Sequence, residues 1–367
     1  MNWKKALDGM TPYKPGRSIE EVISLYGLKE VVKLASNENP YGCAPSVKEF
    51  MATAAIQHEI YPDGHASALR SKLALKHGVG EEAILFGNGS DEIVMIISRA
   101  LLSPGANTVM ATPTFPQYAH SAKIEGAEIR EVPLKADGQH DLDGFLSAVD
   151  SKTTVVWVCN PNNPTGNVIP IDDLKAFLEQ VPDTVLVVLD EAYFEYVTAA
   201  DHGDSVALLE HYPNIIVLRT FSKAYGLAAF RVGYAIGHSE VISNLNKVRS
   251  PFNNNSFGLV LAEKALDDAA FIEQCRELNR QQRQRFKDYA DRKDIHIFDS
   301  ETNFVLIQVP GDADEAAEKL LQQGFIIRSG NALGTPGYIR VTIGTEEQTS
   351  KFFDAFDTLL SVEGSHV

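Results

Sequence analysis

The chain has 367 residues, of which 44% are hydrophobic, enough for one large and one small domain. Its 33 Lys and Arg residues against 49 Asp and Glu residues give a formal net charge of −16, which argues against nucleic acid or a membrane as a partner. Three scattered cysteines, no secretory leader and no apolar run of about 18 residues together predict a cytoplasmic protein with no disulfide framework and no metal site.

Strand-like apolar runs alternate with amphipathic helical segments over the first two thirds of the chain. Seven strands are predicted, at residues 83–86, 108–111, 128–132, 154–158, 185–189, 215–218 and 232–236. Helices are predicted between several of them, for example at 91–102 and 171–180. This alternation predicts an α/β fold, whose large domain contains a mostly parallel seven-stranded sheet between helices.

After about Ser239 the pattern becomes mainly helical and predicts a smaller α+β domain. Long helices are expected at 270–289 and 346–360, and shorter strands at 304–308, 325–327 and 338–343. The first thirty residues show no strong period, so we expect an arm that lies over the small domain or over a partner subunit. The predicted division is an N-terminal arm at 1–30, a large cofactor-binding domain at 31–248 and a small C-terminal domain at 249–367.

A lysine, Lys223, stands just after the predicted strand at 215–218. Open α/β sheets bind their ligands at the carboxyl ends of strands, so this position is suited to chemistry. The amine of Lys223 can form a Schiff base with a carbonyl cofactor, while Ser222 and Arg231 can hold that cofactor's phosphate. Because a lone Ser-Lys pair more often lies in a solvated loop, the assignment depends on two motifs that precede it.

Those motifs are Asn-Pro-Asn-Asn-Pro-Thr-Gly at 160–166 and Asp-Glu-Ala-Tyr at 190–193, and each follows a strand-like run. The Asp190 carboxylate can pair with the protonated ring nitrogen of pyridoxal phosphate, and Tyr193 and Asn163 can hydrogen-bond its phenolic oxygen. Alone, each motif could be a turn or a helix cap. Together with Lys223, they predict a pyridoxal 5'-phosphate site in which Lys223, Asp190 and Tyr193 are the catalytic residues.

Gly-Asn-Gly-Ser-Asp-Glu at 87–92 follows the first predicted strand of the sheet. A dinucleotide fingerprint is excluded, because its third glycine and its acidic ribose partner are both missing. We predict instead that Gly89, Ser90 and Asp91 open a helix whose backbone N–H groups bind a phosphate, with Arg231 as its charged partner. A simple helix cap would use the same N–H groups and is compatible with this interpretation.

With these motifs in this order, nearly the whole chain resembles the fold-type I pyridoxal-phosphate aminotransferases. Four further segments, at 37–42, 61–64, 249–253 and 338–344, extend the resemblance, and those at 61–64 and 338–344 point to the histidinol-phosphate branch. The resemblance implies transfer of the amino group of L-histidinol phosphate to 2-oxoglutarate, giving imidazole acetol phosphate and L-glutamate in histidine biosynthesis.

The resemblance also implies roles for residues that the motifs alone do not assign. Phe115 would stack on the cofactor ring, and Tyr61 would reach the cofactor's phosphate from a neighbouring subunit, so a homodimer is expected. The substrate side would be formed by Tyr13, Asn37, Arg328 and Arg340.

Three alternatives to this function share parts of the pattern. An aromatic amino acid aminotransferase would share every motif, and the stretch at 328–334 departs from the shorter form common in the family, so the amino donor stays open. A pyridoxal-phosphate-dependent phospho-amino-acid decarboxylase is a more distant alternative. A transcription regulator built on this fold would need a basic helix-turn-helix module, for which the acidic chain has no candidate segment.

Overall fold

The computed structural model describes residues 1–11 and 16–363; the predicted substrate residue Tyr13 therefore lies outside the described residues. The strands within this part are β1 (Val32–Lys33), β2 (Ile84–Gly87), β3 (Asn107–Thr112), β4 (Glu128–Pro133), β5 (Thr153–Cys159), β6 (Leu186–Asp190), β7 (Ile215–Thr220), β8 (Gly233–Gly237), β9 (Phe304–Gln308), β10 (Phe325–Ile326), β11 (Arg328–Ser329) and β12 (Tyr338–Thr342). The α-helices are α1 (Ile19–Tyr26), α2 (Pro45–Thr53), α3 (Ser67–His77), α4 (Ser90–Leu101), α5 (Gln117–Glu125), α6 (Leu142–Ala148), α7 (Ile171–Leu178), α8 (Ser239–Asn246), α9 (Ser256–Ala265), α10 (Ala269–Lys293), α11 (Ala313–Gln322) and α12 (Glu346–Glu363).

Seven strands form the large sheet, in the order β2-β8-β7-β6-β5-β3-β4. All neighbours are parallel except at β8, which runs antiparallel to both β2 and β7. Every residue of β6, β7 and β8 is buried, because helices cover both faces of the sheet. The predicted mostly parallel seven-stranded sheet is therefore confirmed, with each strand end within two residues of its predicted position.

The topology brings the polar strand ends together. Strands β5, β6 and β7 are neighbours in the sheet, so Cys159, Asp190 and Thr220 end adjacent parallel strands at one edge. Helix α4 begins three residues after β2 ends, at the same edge. This is the edge at which open α/β sheets bind ligands.

A second hydrophobic core lies in the C-terminal part of the chain. It contains the antiparallel sheet β11-β12-β9, the parallel pair β1-β10 and helices α10, α11 and α12. Its buried members include Phe286, Val305, Ile307, Phe325, Val341 and Phe352. The smaller α+β unit expected from the sequence is therefore present, with α10 extending four residues beyond its predicted end.

Helix α1 lies within the first thirty residues, for which no regular structure was predicted. The hydroxyl of Ser18 caps it by accepting a hydrogen bond from the Glu21 N–H (3.1 Å), and Gly27 ends it with a left-handed φ of 65°. Its buried Val22 packs against Leu321 and Ile326 of the small domain. The helix was missed because eight residues give too short a periodic pattern, although both capping signals are present in the sequence.

The residues that pack in each hydrophobic core suggest different domain boundaries from those predicted from the sequence, which remain predictions. Strand β1 pairs in parallel with β10, and Val32 and Leu34 belong to the small-domain core. Leu261 of α9, by contrast, belongs to the core of the large domain. We therefore propose that residues 31–34 go with the small domain and that α9 goes with the large one. No helix in the described part of the chain has the length and apolar character needed to cross a membrane.

Candidate active site

A cavity of about 880 Å³ opens at the carboxyl edge of the large sheet, between the start of α4 and strands β11 and β12. It is lined by twelve of the residues that the sequence singled out, namely Asn37, Ser90, Asp91, Phe115, Asn163, Asp190, Tyr193, Ser222, Lys223, Arg231, Arg328 and Arg340. Gly89, which directly precedes Ser90 in the sequence, is not among the lining residues. Tyr61 does not line the cavity of its own chain: it is 79% exposed and its ring stacks on that of Phe252, with centroids 4.8 Å apart.

Lys223 lies on the loop that follows β7, and its Nζ donates a hydrogen bond to the Ser36 carbonyl (3.0 Å). Burial, together with the positive charge of Arg340, lowers the pKa of Lys223 to about 8. The loop packs closely on the 36–42 segment: a Cβ on Gly226, whose φ is +68°, would lie 2.0 Å from the Gly42 carbonyl oxygen. The fold thus holds an amine with a depressed proton affinity at the strand end.

The start of α4 forms an anion cradle with Arg231. No side chain caps this helix, which leaves its first N–H groups as possible donors, and its first residues, Ser90 and Asp91, line the cavity. The Arg231 guanidinium donates to the Ser222 hydroxyl (3.1 Å) and lies 3.6 Å from the Asp91 carboxylate. Gly89 has a φ of +79°, and a Cβ there would lie 2.3 Å from Arg231 Nη2. Only glycine leaves the space that this arginine occupies, and a phosphate monoester suits the resulting donor set.

Asp190 is a buried carboxylate held by two hydrogen bonds. The Tyr118 hydroxyl donates to its Oδ2 (2.6 Å), and the Ala192 N–H donates to its Oδ1 (3.2 Å). Burial raises the pKa of Asp190 to about 6, and the hydrogen bond from Tyr118 works against that rise. A carboxylate in this environment is suited to pairing with a buried cation supplied by a ligand.

Tyr118 is a site residue that the sequence reasoning missed. It lies in the first turn of α5, and its ring stacks on that of Trp157 with centroids 4.8 Å apart. In the sequence it looks like an ordinary core aromatic residue. Only the folded chain shows that its hydroxyl meets Asp190, because 72 residues separate the two.

Tyr193 places its hydroxyl between two amides. Asn37 Nδ2 donates to it at 3.0 Å and Asn163 Nδ2 at 3.4 Å, so the hydroxyl hydrogen is available to donate into the cavity. Burial raises the pKa of Tyr193 above its usual value, which keeps this hydrogen in place at neutral pH. Such a donor suits a phenolate oxygen of a ligand.

Two arginines form the wall opposite the large sheet. Arg328 and Arg340 are cross-strand partners on β11 and β12, so their side chains leave the same face of the small sheet. Arg340 is buried and donates to Asn163 Oδ1 (2.7 Å) and to the Ala35 carbonyl (2.8 Å). Two guanidinium groups on this wall are suited to an anion other than one held at the start of α4.

These groups fit pyridoxal phosphate. The cradle of Gly89, Ser90, Ser222 and Arg231 matches its phosphate, and Lys223 matches its aldehyde. Asp190 and Tyr193 match its ring nitrogen and its phenolic oxygen, while Phe115 supplies an aromatic face on the cavity wall. No other cofactor is needed to account for a buried carboxylate, a low-pKa amine and an anion cradle around one cavity.

Comparisons with known proteins agree with this chemistry. Residues 29–356 match the family model of class I and II aminotransferases. A histidinol-phosphate aminotransferase from Lysinibacillus sphaericus is 53% identical over 364 residues, 99% of each chain. Its counterpart from Bacillus subtilis strain 168 is 53% identical over 351 residues, 96% of this chain and 98% of the relative. The crystal structure of the Sinorhizobium meliloti histidinol-phosphate aminotransferase in complex with pyridoxal-5'-phosphate superposes with a TM-score of 0.88 at 28% identity, covering 100% of this chain and 98% of that one.

Proposed function

The chain belongs to the class I and II aminotransferases and, within them, to the histidinol-phosphate aminotransferases, and from this premise we propose how its residues carry out the reaction. The reaction is transfer of the amino group of L-histidinol phosphate to 2-oxoglutarate, which gives imidazole acetol phosphate and L-glutamate. The observation that supports it best is the low-pKa Lys223, which lies in one cavity with Asp190 and the α4 anion cradle.

Pyridoxal phosphate, when bound, supplies an aldehyde that condenses with amines and a ring that accepts electrons from the substrate carbon. The α4 cradle binds the phosphate, with Arg231 as the charged donor. The Asp190 carboxylate would hold a positive charge on the ring nitrogen, and Tyr118 would keep this carboxylate ionised and oriented. The Tyr193 hydroxyl would donate to the phenolic oxygen, and Phe115 would supply an aromatic contact to the ring.

Lys223 has two tasks in this proposal. Its amine first anchors the cofactor and afterwards accepts the proton from the substrate carbon that bears the amino group. With a pKa of about 8, roughly a tenth of this amine is neutral at pH 7, whereas an ordinary lysine would be neutral in fewer than one molecule in a thousand. Burial beside Arg340 thus makes Lys223 competent as a base without a separate activating group.

Arg328 and Arg340 bind the substrate's anionic group. A phosphate offers more acceptor oxygens than a carboxylate to this pair, so histidinol phosphate should bind more tightly than an aromatic amino acid. Fixing the anion also orients the amino-bearing carbon towards Lys223. Asn37 supports this wall by hydrogen bonds to Tyr193 and, through its backbone N–H, to the Thr342 hydroxyl (2.9 Å).

A homodimer would complete the site. In the single chain the Tyr61 side chain is 79% exposed and its stacking partner Phe252 is 47% exposed. The two rings therefore form an apolar surface that a second copy would cover. We propose that Tyr61 reaches the cofactor's phosphate in the partner's cavity. The small-molecule substrates and the three buried, unpaired cysteines support a cytoplasmic location for this dimer.

Reduction with borohydride tests the anchor. Lys223→Ala should abolish both turnover and the covalent adduct that borohydride traps between protein and cofactor. Lys76→Ala is a matched control, because burial also lowers the pKa of Lys76, yet this lysine lies outside the cavity. Loss of the adduct in the Lys76 variant, or its survival in the Lys223 variant, would contradict the assignment.

Initial rates on different amino donors test the substrate. We expect Arg340→Ala to lower kcat/KM for histidinol phosphate at least tenfold, which corresponds to about 1.4 kcal/mol of transition-state binding. The same measurement on the unmodified enzyme should give a lower kcat/KM for phenylalanine and tyrosine than for histidinol phosphate. A higher value for either amino acid would make the protein an aromatic aminotransferase.

A further inference from the structure

A buried ion pair lies beside the active site and takes no part in the roles given above. Arg219 and Glu191 are 2% and 0% exposed, and two guanidinium nitrogens of Arg219, Nη2 and Nε, donate to Glu191 Oε2 at 2.7 and 3.0 Å. The guanidinium also lies over the Phe194 ring, 3.5 Å from its centroid. Neither side chain lines the active-site cavity.

The pair joins the two strand ends that carry the proposed chemistry. Glu191 directly follows Asp190 at the end of β6, and Arg219 stands on β7, four residues before Lys223. The Glu191 N–H donates to the Leu218 carbonyl (2.9 Å), so backbone and side chain bind the same neighbouring strand. A shift of either strand end would therefore have to break this pair.

The charges of the pair also matter to its neighbours. Glu191 alone would add a negative charge next to Asp190, and it is among the groups that raise the pKa of that carboxyl. Arg219 alone would leave a positive charge on β7, the strand that leads to Lys223. Because burying two charges costs free energy that a pair of apolar residues would not, stability is a weak explanation for this arrangement.

We propose that the Arg219–Glu191 ion pair is a positioning pair, which fixes the ends of β6 and β7 and balances the charge behind Asp190 and Lys223. This inference rests on the function proposed above and extends it to two residues that do not touch the cofactor. Its distinctive consequence is that removing one charge and removing the other must have opposite electrostatic effects on the lysine–cofactor linkage.

Other charged and titratable groups surround the same centre, and all of them are the same in every variant that the test compares. Those around Asp190 and Lys223 are Asp91, Glu38, Arg231, Arg340, Tyr118, Tyr193 and Cys159. Those around Arg219 are Asp204, whose Oδ1 lies 2.8 Å from Nη2, together with Glu195, Tyr234, His77 and Lys76.

The experiment is a pH titration of the visible absorbance of the enzyme loaded with pyridoxal phosphate, which reports protonation of the lysine–cofactor linkage. Glu191→Gln leaves an excess positive charge and should lower the midpoint by about half a pH unit, while Arg219→Met should raise it by a similar amount. The double variant should return to the wild-type midpoint, and Arg219→Lys should stay near it. Thermal unfolding of each variant is measured in parallel.

A control from outside the site is the partly buried pair Arg283–Glu301 (2.9 Å) on α10 and the loop before β9. Arg283→Met should lower the unfolding temperature and leave the absorbance midpoint unchanged. If Arg219→Met does not fold, Glu191→Gln decides alone, because its arginine keeps Asp204 as a partner.

Midpoints that move in the same direction in both single variants, or that do not move, would overturn the positioning role. A wild-type protein that develops no titrating absorbance band with pyridoxal phosphate would instead overturn the proposed function.

Discussion

The buried Asp190 carboxylate lowers the stability of the protein as long as no cofactor is bound. Burial raises its pKa from 3.8 to about 6, so the folded chain binds a proton more tightly than the unfolded chain does. Stability without cofactor therefore falls as pH rises from about 4 to 6, and the cost above pH 7 is roughly 3 kcal/mol. The carboxylate that lowers stability is the same group that we propose pairs with the ring cation of the cofactor.

We predict that Asp190→Asn makes the cofactor-free protein more stable while weakening cofactor binding. The gain in unfolding free energy should approach about 3 kcal/mol at pH 8 and fall to about half of that at pH 5, where Asp190 is largely protonated in the folded state. Denaturant unfolding at the two pH values measures it. A variant that is less stable than the wild type at both values would show that Asp190 serves mainly to cap the following turn.

The residues that the sequence identified share a property that those it missed lack. Lys223 and Asp190 are polar at the end of an apolar strand, and this local contrast can be read without a structure. Tyr118 and the Arg219–Glu191 pair act through contacts 28 to 72 residues apart, and a buried arginine on a strand looks like a surface residue in the sequence. Arg340 was assigned only by resemblance, for the same reason.

At the scale of elements, the junction between β2 and α4 needs its glycines for space. Gly89 leaves the space in which the Arg231 guanidinium lies beside the start of α4, and Gly233 lets β8 lie against the start of the same helix: a Cβ on Gly233 would be 2.4 Å from the Ser90 nitrogen. The sequence predicted that Gly89 opens the helix. It also predicted Arg231 as the charged partner of the same phosphate, but not the close approach of Arg231 to Gly89, which depends on how β8 lies beside β2.

We predict that Gly89→Ala weakens the binding of pyridoxal phosphate at least about tenfold, because the new methyl group displaces the arginine that holds the phosphate. Gly78→Ala is a control for positive φ alone: its left-handed backbone (φ +67°, ψ 30°) costs an alanine about 1 kcal/mol, less than the essentially glycine-only backbone of Gly89 (ψ 165°), and nothing lies within 4 Å of its Cβ position. It should lose stability and keep its Kd. Pyridoxal without the phosphate should bind equally to both variants, and a large difference for this ligand would contradict the prediction.

At the scale of the whole molecule, the proposed dimer has a direct test. Tyr61→Ala and Lys223→Ala homodimers should each have little activity, since each site lacks one of its two contributions. After subunit exchange, about a quarter to a half of the wild-type activity should return, because one of the two sites in a mixed dimer is then intact. No recovery after exchange has been verified would place Tyr61 and Lys223 in the same subunit's site.

The large-scale architecture was predictable because it follows from regular patterns. The seven strands of the large sheet and their connecting helices repeat a period that the sequence shows, whereas the pairing of β1 with β10 involves two-residue strands with no period at all. The boundary between the domains was placed by a change of composition. Core packing does not follow composition at that point, because α9 is helical like the small domain but packs in the large one.

The pairing of β1 with β10 delays one step of folding during synthesis. Val32 leaves the ribosome long before Phe325, its partner in the structure, and at usual translation rates the delay is roughly fifteen seconds to a minute. The large sheet, which lies between them in the chain, can form during this interval. The segment around Val32 meanwhile stays without its partner strand, so the core that it shares with β10 can close only after the last strands emerge.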